Sequence, residues 1–103
     1  MNFYLGWGNF VQENYDDSKS FFEKCLASGA DKGTVYQNLA HIALIQHDAA
    51  AKELYKKSCA LFADNEEFYN SGLSDFKYIQ KAGINKDDFE LILKQAMENE
   101  KED

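Results

Sequence analysis

The chain has 103 residues, 45% of them hydrophobic, and carries a net charge of −7 without any arginine or proline. This length and composition indicate one domain with a packed core and exclude a disordered chain. The acidic balance argues against nucleic acid and anionic membranes as partners and favours a basic or neutral protein surface.

Apolar residues recur every three or four positions along the chain, which is the period of an amphipathic helix. Six helices are predicted in chain order, at about 2–13, 15–28, 35–46, 48–62, 66–81 and 85–101. The predicted N-caps are Thr34, Asp64 or Asn65, and Asn85, and the predicted C-terminal stops are Gly29 and Gly83. No segment alternates as a strand would, so we predict an all-α fold of three antiparallel helix-turn-helix hairpins.

The last predicted helix, about 85–101, lies in the most acidic part of the chain. Residues 85–103 hold seven acidic residues against three lysines, a net charge of −4 out of −7. We interpret this helix as a solvated cap on the fold. The alternative is a docking site for a basic partner.

Two stretches of the chain repeat each other about one helix pair apart. Residues 15–27 align with 48–60 at an offset of 33, and upstream residues 5–6 align with 39–40 at an offset of 34. Self-similarity at this period in helical sequence predicts an array of helix pairs. The predicted repeats span about 2–31, 34–64 and 65–103 within a single domain, 1–103.

Small residues recur where neighbouring helices must approach closely. They occupy equivalent places in the repeats, namely Gly6, Ala40 and Gly72 in the first helices and Ser18 and Ala51 in the second. The large residues Phe22 and Tyr55 each follow a small residue of the second helices by four positions. This pattern predicts that small residues of one helix receive large residues of its neighbour.

With these residues the chain resembles the tetratricopeptide repeat family. The second repeat carries the resemblance best, through Tyr36, Leu39, Ala40, Ala51, Tyr55 and Ser58. The first repeat matches through Leu5, Gly6, Tyr15, Ser18, Phe22 and Cys25, and the third keeps Phe68 and Gly72. The family's proline between repeats is absent, and one turn needs a one-residue deletion. Sel1-like repeats and other helical-hairpin arrays are the alternatives.

The resemblance implies a right-handed superhelical stack, a tetratricopeptide-like α-α solenoid, whose first helices line a concave groove for a peptide or helix of a partner protein. We place the groove residues on the exposed concave side; they are Trp7, Asn9, Gln37, Asn38, His41, Tyr69 and Asn70. One sub-class of the family clamps acidic tails with asparagines and basic residues. Asn38 matches such an asparagine, but Leu5 or Met1 and Asn70 stand where basic residues are needed, so we reject that mode.

Enzyme chemistry has little support in the sequence. His41 and His47 are six positions apart, which puts them on different helix faces, and there is no glycine-rich phosphate loop. Cys25 and Cys59 lie in equivalent second helices, where we expect buried core thiols. We therefore predict a protein that is not an enzyme and uses no cofactor or metal.

Two functions remain in view. The first is an adaptor or scaffold module that binds another protein, with a basic partner as one option. The second is self-assembly through the aromatic first helix around Trp7, which has no polar outer cap; a regulatory domain of a larger protein is a further alternative. Without a leader or a run of transmembrane length we expect a cytoplasmic protein, or else a segment of a longer one.

Overall fold

The computed structural model describes residues 2–29 and 31–98, which form seven α-helices and contain no strand. The all-α class is therefore confirmed. The helices are α1 (Asn2–Val11), α2 (Tyr15–Ala27), α3 (Lys32–Ile45), α4 (Ala51–Leu61), α5 (Asn65–Ser74), α6 (Phe76–Gln80) and α7 (Lys86–Glu98). The predicted end of the last helix, near residue 101, lies outside the described residues. None of the described helices is both long and apolar enough to cross a membrane.

Side-chain caps fix three helix starts. Asp64 accepts the backbone N–H of the third residue of α5, and Asn85 does the same for α7, both at 2.8 Å. These two predicted caps are confirmed. The prediction for α3 is wrong, because Asp31 is the N-cap and Thr34 lies inside the helix, where its backbone N–H donates to the Asp31 carboxylate.

A helix break at Asp75 corrects the prediction of one continuous helix over about 66–81. Asp75 has φ −99° and ψ 5°, and its carboxylate reaches sideways to His41. The preceding Ser74 donates its hydroxyl to the carbonyl of Ser71 at 2.7 Å. Short polar side chains that bond to nearby backbone or to a neighbouring helix compete with the helical ladder, and here α5 ends and α6 begins.

Two turns, after α1 and after α3, have the same geometry 34 residues apart. Glu13 and His47 adopt left-handed backbone with φ 67° and 58°. The residue after each donates its N–H to the carbonyl five positions earlier, at 2.8 Å in both turns. This is the Schellman arrangement that ends many helices. His47 therefore lies in a turn, whereas His41 lies in the core.

We expect His47→Gly to raise the free energy of unfolding by about 1 kcal/mol, because glycine adopts left-handed backbone without the steric cost of a Cβ. Urea denaturation would measure the gain. His47→Ala is the control, since it removes the imidazole and keeps the Cβ. Equal stability of the two variants would contradict a backbone origin.

Helix α3 lies at the centre of the fold. It makes its largest contacts with α4 and α2, while α1 packs on α2, and α7 packs on α4 and α5. Nine of its residues are buried, including the whole run 37–43. One apolar cluster, around Phe10, Phe22 and Val35, lies on one side of it, and a second, around Tyr55 and Phe89, lies on the other.

Close approach of helices through small residues is confirmed in two places. A Cβ added to Gly6 would lie 2.9 Å from the ring of Phe22. Helix α1 can therefore pack this closely against α2 only because residue 6 is glycine. Ser18 adds a hydrogen bond from its hydroxyl to the Gly6 carbonyl at 2.7 Å. Gly72 similarly receives Leu93 of α7, whose methyl carbons would lie 3.0 Å from an added Cβ.

Candidate functional site

A cavity of 260 Å³ lies where α1, α3 and the end of α5 meet. Its wall on α1 is aromatic, and its opposite wall carries hydroxyl, amide and carboxylate groups. The lining residues are Phe3, Tyr4, Trp7, Thr34, Asn38, Ser71, Ser74 and Asp75. Tyr4 is 76% exposed, so the aromatic wall opens to solvent.

Helical spacing explains why these side chains converge. Residues 3 and 7 are four apart on α1, and residues 34 and 38 are four apart on α3, so each pair shares one helix face. Residues 71 and 74 share a face of α5 in the same way, and the break after Ser74 turns Asp75 toward α3. The cavity is thus built from three separate segments of the chain.

Beneath the cavity, three side chains form a hydrogen-bonded row. Asp75 Oδ2 lies 3.1 Å from His41 Nε2, and His41 Nδ1 lies 2.7 Å from Tyr55 Oη. His41 and Tyr55 are fully buried, whereas the Asp75 side chain is 17% exposed at the cavity. The row runs from the surface of the cavity into the core.

The environment of Tyr55 keeps its phenol protonated. Burial raises the pKa of the Tyr55 phenol well above its ordinary value of 10.0, and the Asp75 carboxylate raises that pKa as well. The phenol therefore stays protonated and shares a hydrogen bond with His41 Nδ1, while His41 Nε2 donates to the Asp75 carboxylate.

The pKa direction of Tyr55 predicts an alkaline loss of stability. Below about pH 10 the phenol is protonated in both states; above it the unfolded chain ionises first, so unfolding becomes easier by up to about 1.4 kcal/mol per pH unit. We expect urea denaturation of Tyr55→Phe to show a weaker fall above pH 10 than the wild type. Tyr4→Phe, which removes an exposed phenol, should keep the wild-type curve. Identical pH curves for Tyr55→Phe and the wild type would contradict the assignment.

A second buried group joins α3 to α5. Gln37 donates its amide N–H to the carbonyl of Phe68 at 3.0 Å and accepts the hydroxyl of Ser71 at 2.7 Å. Gln37 is fully buried, and both of its bonds cross between the two helices. Gln37 therefore fixes the position of Ser71, which lines the cavity.

Aromatic rings close the side of the cavity that lies toward the end of α1. Tyr78 of α6 packs edge-on against Trp7 and Phe10, with ring centroids 5.4 and 5.6 Å apart. An exposed ion pair between Lys81 and Glu13, at 3.9 Å, lies near the same junction. The chain's own α6 therefore fills the space between α1 and α3 beyond Trp7, and the open cavity lies toward Phe3.

The predicted groove residues separate into three groups. Trp7 and Asn38 line the cavity. The expectation that Gln37, Asn38 and His41 lie exposed is wrong: all three are buried, because α5 and α6 cover that face of α3. Gln37 and His41 act from beneath the cavity through the hydrogen bonds described above.

The other three predicted residues lie away from the cavity lining. Asn9 bonds the carbonyl of Leu5 at 2.8 Å and the amide of Asn14 at 3.3 Å, so its side chain belongs to the turn after α1. Tyr69 packs partly buried against the core cluster around Phe89. Asn70 is exposed on α5. The structure brings none of these three to the cavity.

Sequence reasoning missed the polar wall at Ser71, Ser74 and Asp75. A signal was present, because Ser71 and Asp75 lie 34 residues after Gln37 and His41, their hydrogen-bond partners. That separation equals the offset of 34 at which residues 5–6 align with 39–40. Applying the same offset to Gln37 and His41 would have pointed to both residues.

Both cysteines are buried, as predicted. Cys25 belongs to the cluster around Phe22, and burial raises the pKa of its thiol. The Cys59 thiol lies 3.3 Å from Asn65 Oδ1, to which it donates. Neither residue lines the cavity.

Comparisons of the chain with models of protein families, with curated proteins and with solved structures gave no match.

Proposed function

We propose that the chain is a non-enzymatic protein–protein interaction module with a tetratricopeptide-like architecture. In this proposal α1–α2, α3–α4 and α5/α6–α7 are three antiparallel hairpins stacked as a right-handed superhelix. The cavity between α1, α3 and α5 is the open part of its concave groove and holds an extended peptide or a helix of a partner protein.

The hydrogen bonds between first helices support this architecture. His41 pairs with Asp75 and Gln37 pairs with Ser71, each across 34 residues. Such pairs are expected when the first helices of two successive repeats lie side by side in register. The matched turns at Glu13 and His47, also 34 residues apart, support the same equivalence for the first two repeats.

The single observation that carries the functional proposal is the composition of the cavity. The cavity places aromatic rings, which remain partly or largely exposed to solvent, beside several hydrogen-bonding groups. These residues come from three different segments of the chain. Sites that recognise peptides combine such aromatic contact area with a few fixed polar groups. Ser71 and Asp75 are held by the buried Gln37 and His41, so this part of the site is formed before any partner binds.

Selection from a random peptide display library would test this proposal. We expect enriched peptides to bind the wild type and to lose about threefold in affinity for Tyr4→Ala, because that change removes a ring from the aromatic wall. Leu61→Ala is the matched control, since Leu61 is 50% exposed and lies outside the cavity. Failure to enrich any peptide, or equal binding to both variants, would contradict the proposal.

A second candidate function, self-assembly, is favoured by the exposed apolar residues of α1. Tyr4, Leu5 and Val11 are all exposed on this helix. Several exposed large apolar side chains on one short helix are typical of an interface with another protein surface. Trp7 is half-buried against Phe10 and Tyr78, so Leu5 is the better residue with which to examine assembly.

Light scattering coupled to size-exclusion chromatography would measure the assembly. If α1 forms an interface between copies, the mass should rise with concentration for the wild type and stay at the monomer value for Leu5→Glu. The control is Leu61→Glu, a similar change of an exposed leucine on α4. A wild type that stays monomeric throughout would exclude self-assembly through this face.

A further inference from the structure

We propose that the cavity between α1, α3 and α5 receives a basic side chain of a partner protein, arginine in preference to lysine. This inference rests on the proposed function, since it names the chemistry of the peptide that the groove would hold. It depends on three features of the cavity: its carboxylate, its aromatic wall and the charge around it.

The carboxylate is that of Asp75, on the polar wall. Its Oδ2 accepts a hydrogen bond from His41, and the side chain remains 17% exposed at the cavity. A carboxylate has about four acceptor positions, so one bond from His41 leaves capacity for further donors. Because the group is only partly hydrated, a cation beside it is attracted more strongly than at an open surface.

The aromatic wall lines the same cavity as this carboxylate. Phe3, Tyr4 and Trp7 present three rings from one face of α1. A cation held over such faces is attracted by the electrons of the ring, most strongly by tryptophan. A planar guanidinium can stack on a ring and donate to a carboxylate at the same time, which a compact ammonium does less well.

The groups that line the cavity complement a cation better than an anion. Thr34 lies on the cavity wall and donates its hydroxyl to the carboxylate of Asp31 at 3.0 Å. A second carboxylate therefore lies near the cavity. No lysine is among the described residues that line the cavity. The remaining polar groups, from Asn38, Ser71 and Ser74, supply neutral acceptors for the five N–H donors of a guanidinium. The whole chain, at net charge −7, would also attract a basic segment.

The single tryptophan gives a direct readout, because Trp7 lies in the cavity. We would titrate the full chain with four short peptides, Gly-Gly-Xaa-Gly-Gly, in which Xaa is arginine, lysine, glutamine or glutamate. The indole N–H signal of Trp7 in proton–nitrogen NMR spectra reports binding. We expect the arginine peptide to shift this signal at the lowest concentration, the lysine peptide to follow, and both shifts to weaken with added salt.

Three variants assign the binding to the cavity. Asp75→Asn keeps the shape of the side chain and should weaken the arginine peptide about tenfold, because the charge-assisted bond is lost. Tyr4→Ala should weaken it about threefold through the lost ring contact. Tyr4 is exposed, so this variant keeps its fold even if Asp75→Asn is destabilised. Leu61→Ala should bind as the wild type does.

The outcomes separate this inference from the proposed function. An equal shift with the glutamine peptide would overturn the choice of a cation and leave peptide binding in the groove intact. Lysine binding as tightly as arginine would overturn the preference for a guanidinium. No shift with any of the four peptides would overturn the inference itself, while the library selection would still decide whether the groove binds peptides.

Discussion

Phe89→Ala is expected to lower the free energy of unfolding by about 3–5 kcal/mol, the largest effect of any single change considered for this chain. Phe89 is fully buried on α7, and its ring contacts those of His41, Tyr55 and Phe76. Truncation removes the link by which α7 holds α3, α4 and α6 together. Since a domain of this size is stable by roughly 5–15 kcal/mol, much of the native population would be lost at modest urea concentrations.

Urea denaturation followed by circular dichroism would measure this loss. The matched control is Leu91→Ala on the same helix, because Leu91 is 55% exposed and its removal should change stability by less than about 0.5 kcal/mol. Similar losses for the two variants would contradict the assignment of Phe89 as the residue by which α7 packs on the core.

His41→Leu is expected to cost about 2–4 kcal/mol, because it removes the middle member of the row from Asp75 to Tyr55. The buried Tyr55 hydroxyl loses its hydrogen-bond partner, and the Asp75 carboxylate loses its donor. Leucine fills part of the space, so the loss is chiefly one of hydrogen bonding.

A double-mutant cycle separates that bonding from packing. With Tyr55→Phe also present, no hydroxyl is left unpaired, and the double variant should be more stable than the sum of the two single losses by about 1 kcal/mol or more. Strict additivity would mean that the bond between His41 and Tyr55 contributes little. The same cycle with Asp75→Asn would measure the other end of the row.

The elements that sequence predicted correctly are those set by local chemistry. The capping carboxylate of Asp64, the amide of Asn85 and the fit of Gly6 against Phe22 follow from residue type and helical spacing. Each depends on residues within one helix or one helix pair. The period of apolar residues therefore gave the all-α class and most helix bounds directly.

The burial of α3 could not be predicted in this way. Gln37 and His41 are polar residues on a helix, and a polar face ordinarily points to solvent. They are covered because α5 and α6, more than 20 residues downstream of the helix, fold back on them and satisfy their polar atoms. The break at Asp75 combines a local bond, from Ser74 to the carbonyl of Ser71, with the long-range bond from His41 to Asp75.

The contact of Tyr78 with Trp7 and Phe10 has a consequence for how the molecule unfolds. In an open array each unit touches only its neighbours, so an end can detach while the rest stays native. Here the ring of Tyr78, on α6, packs against α1. Opening either of these two helices therefore exposes the other. Amide hydrogens of α1 and α6 should then exchange with solvent in one concerted event, at a similar free energy, rather than fraying independently.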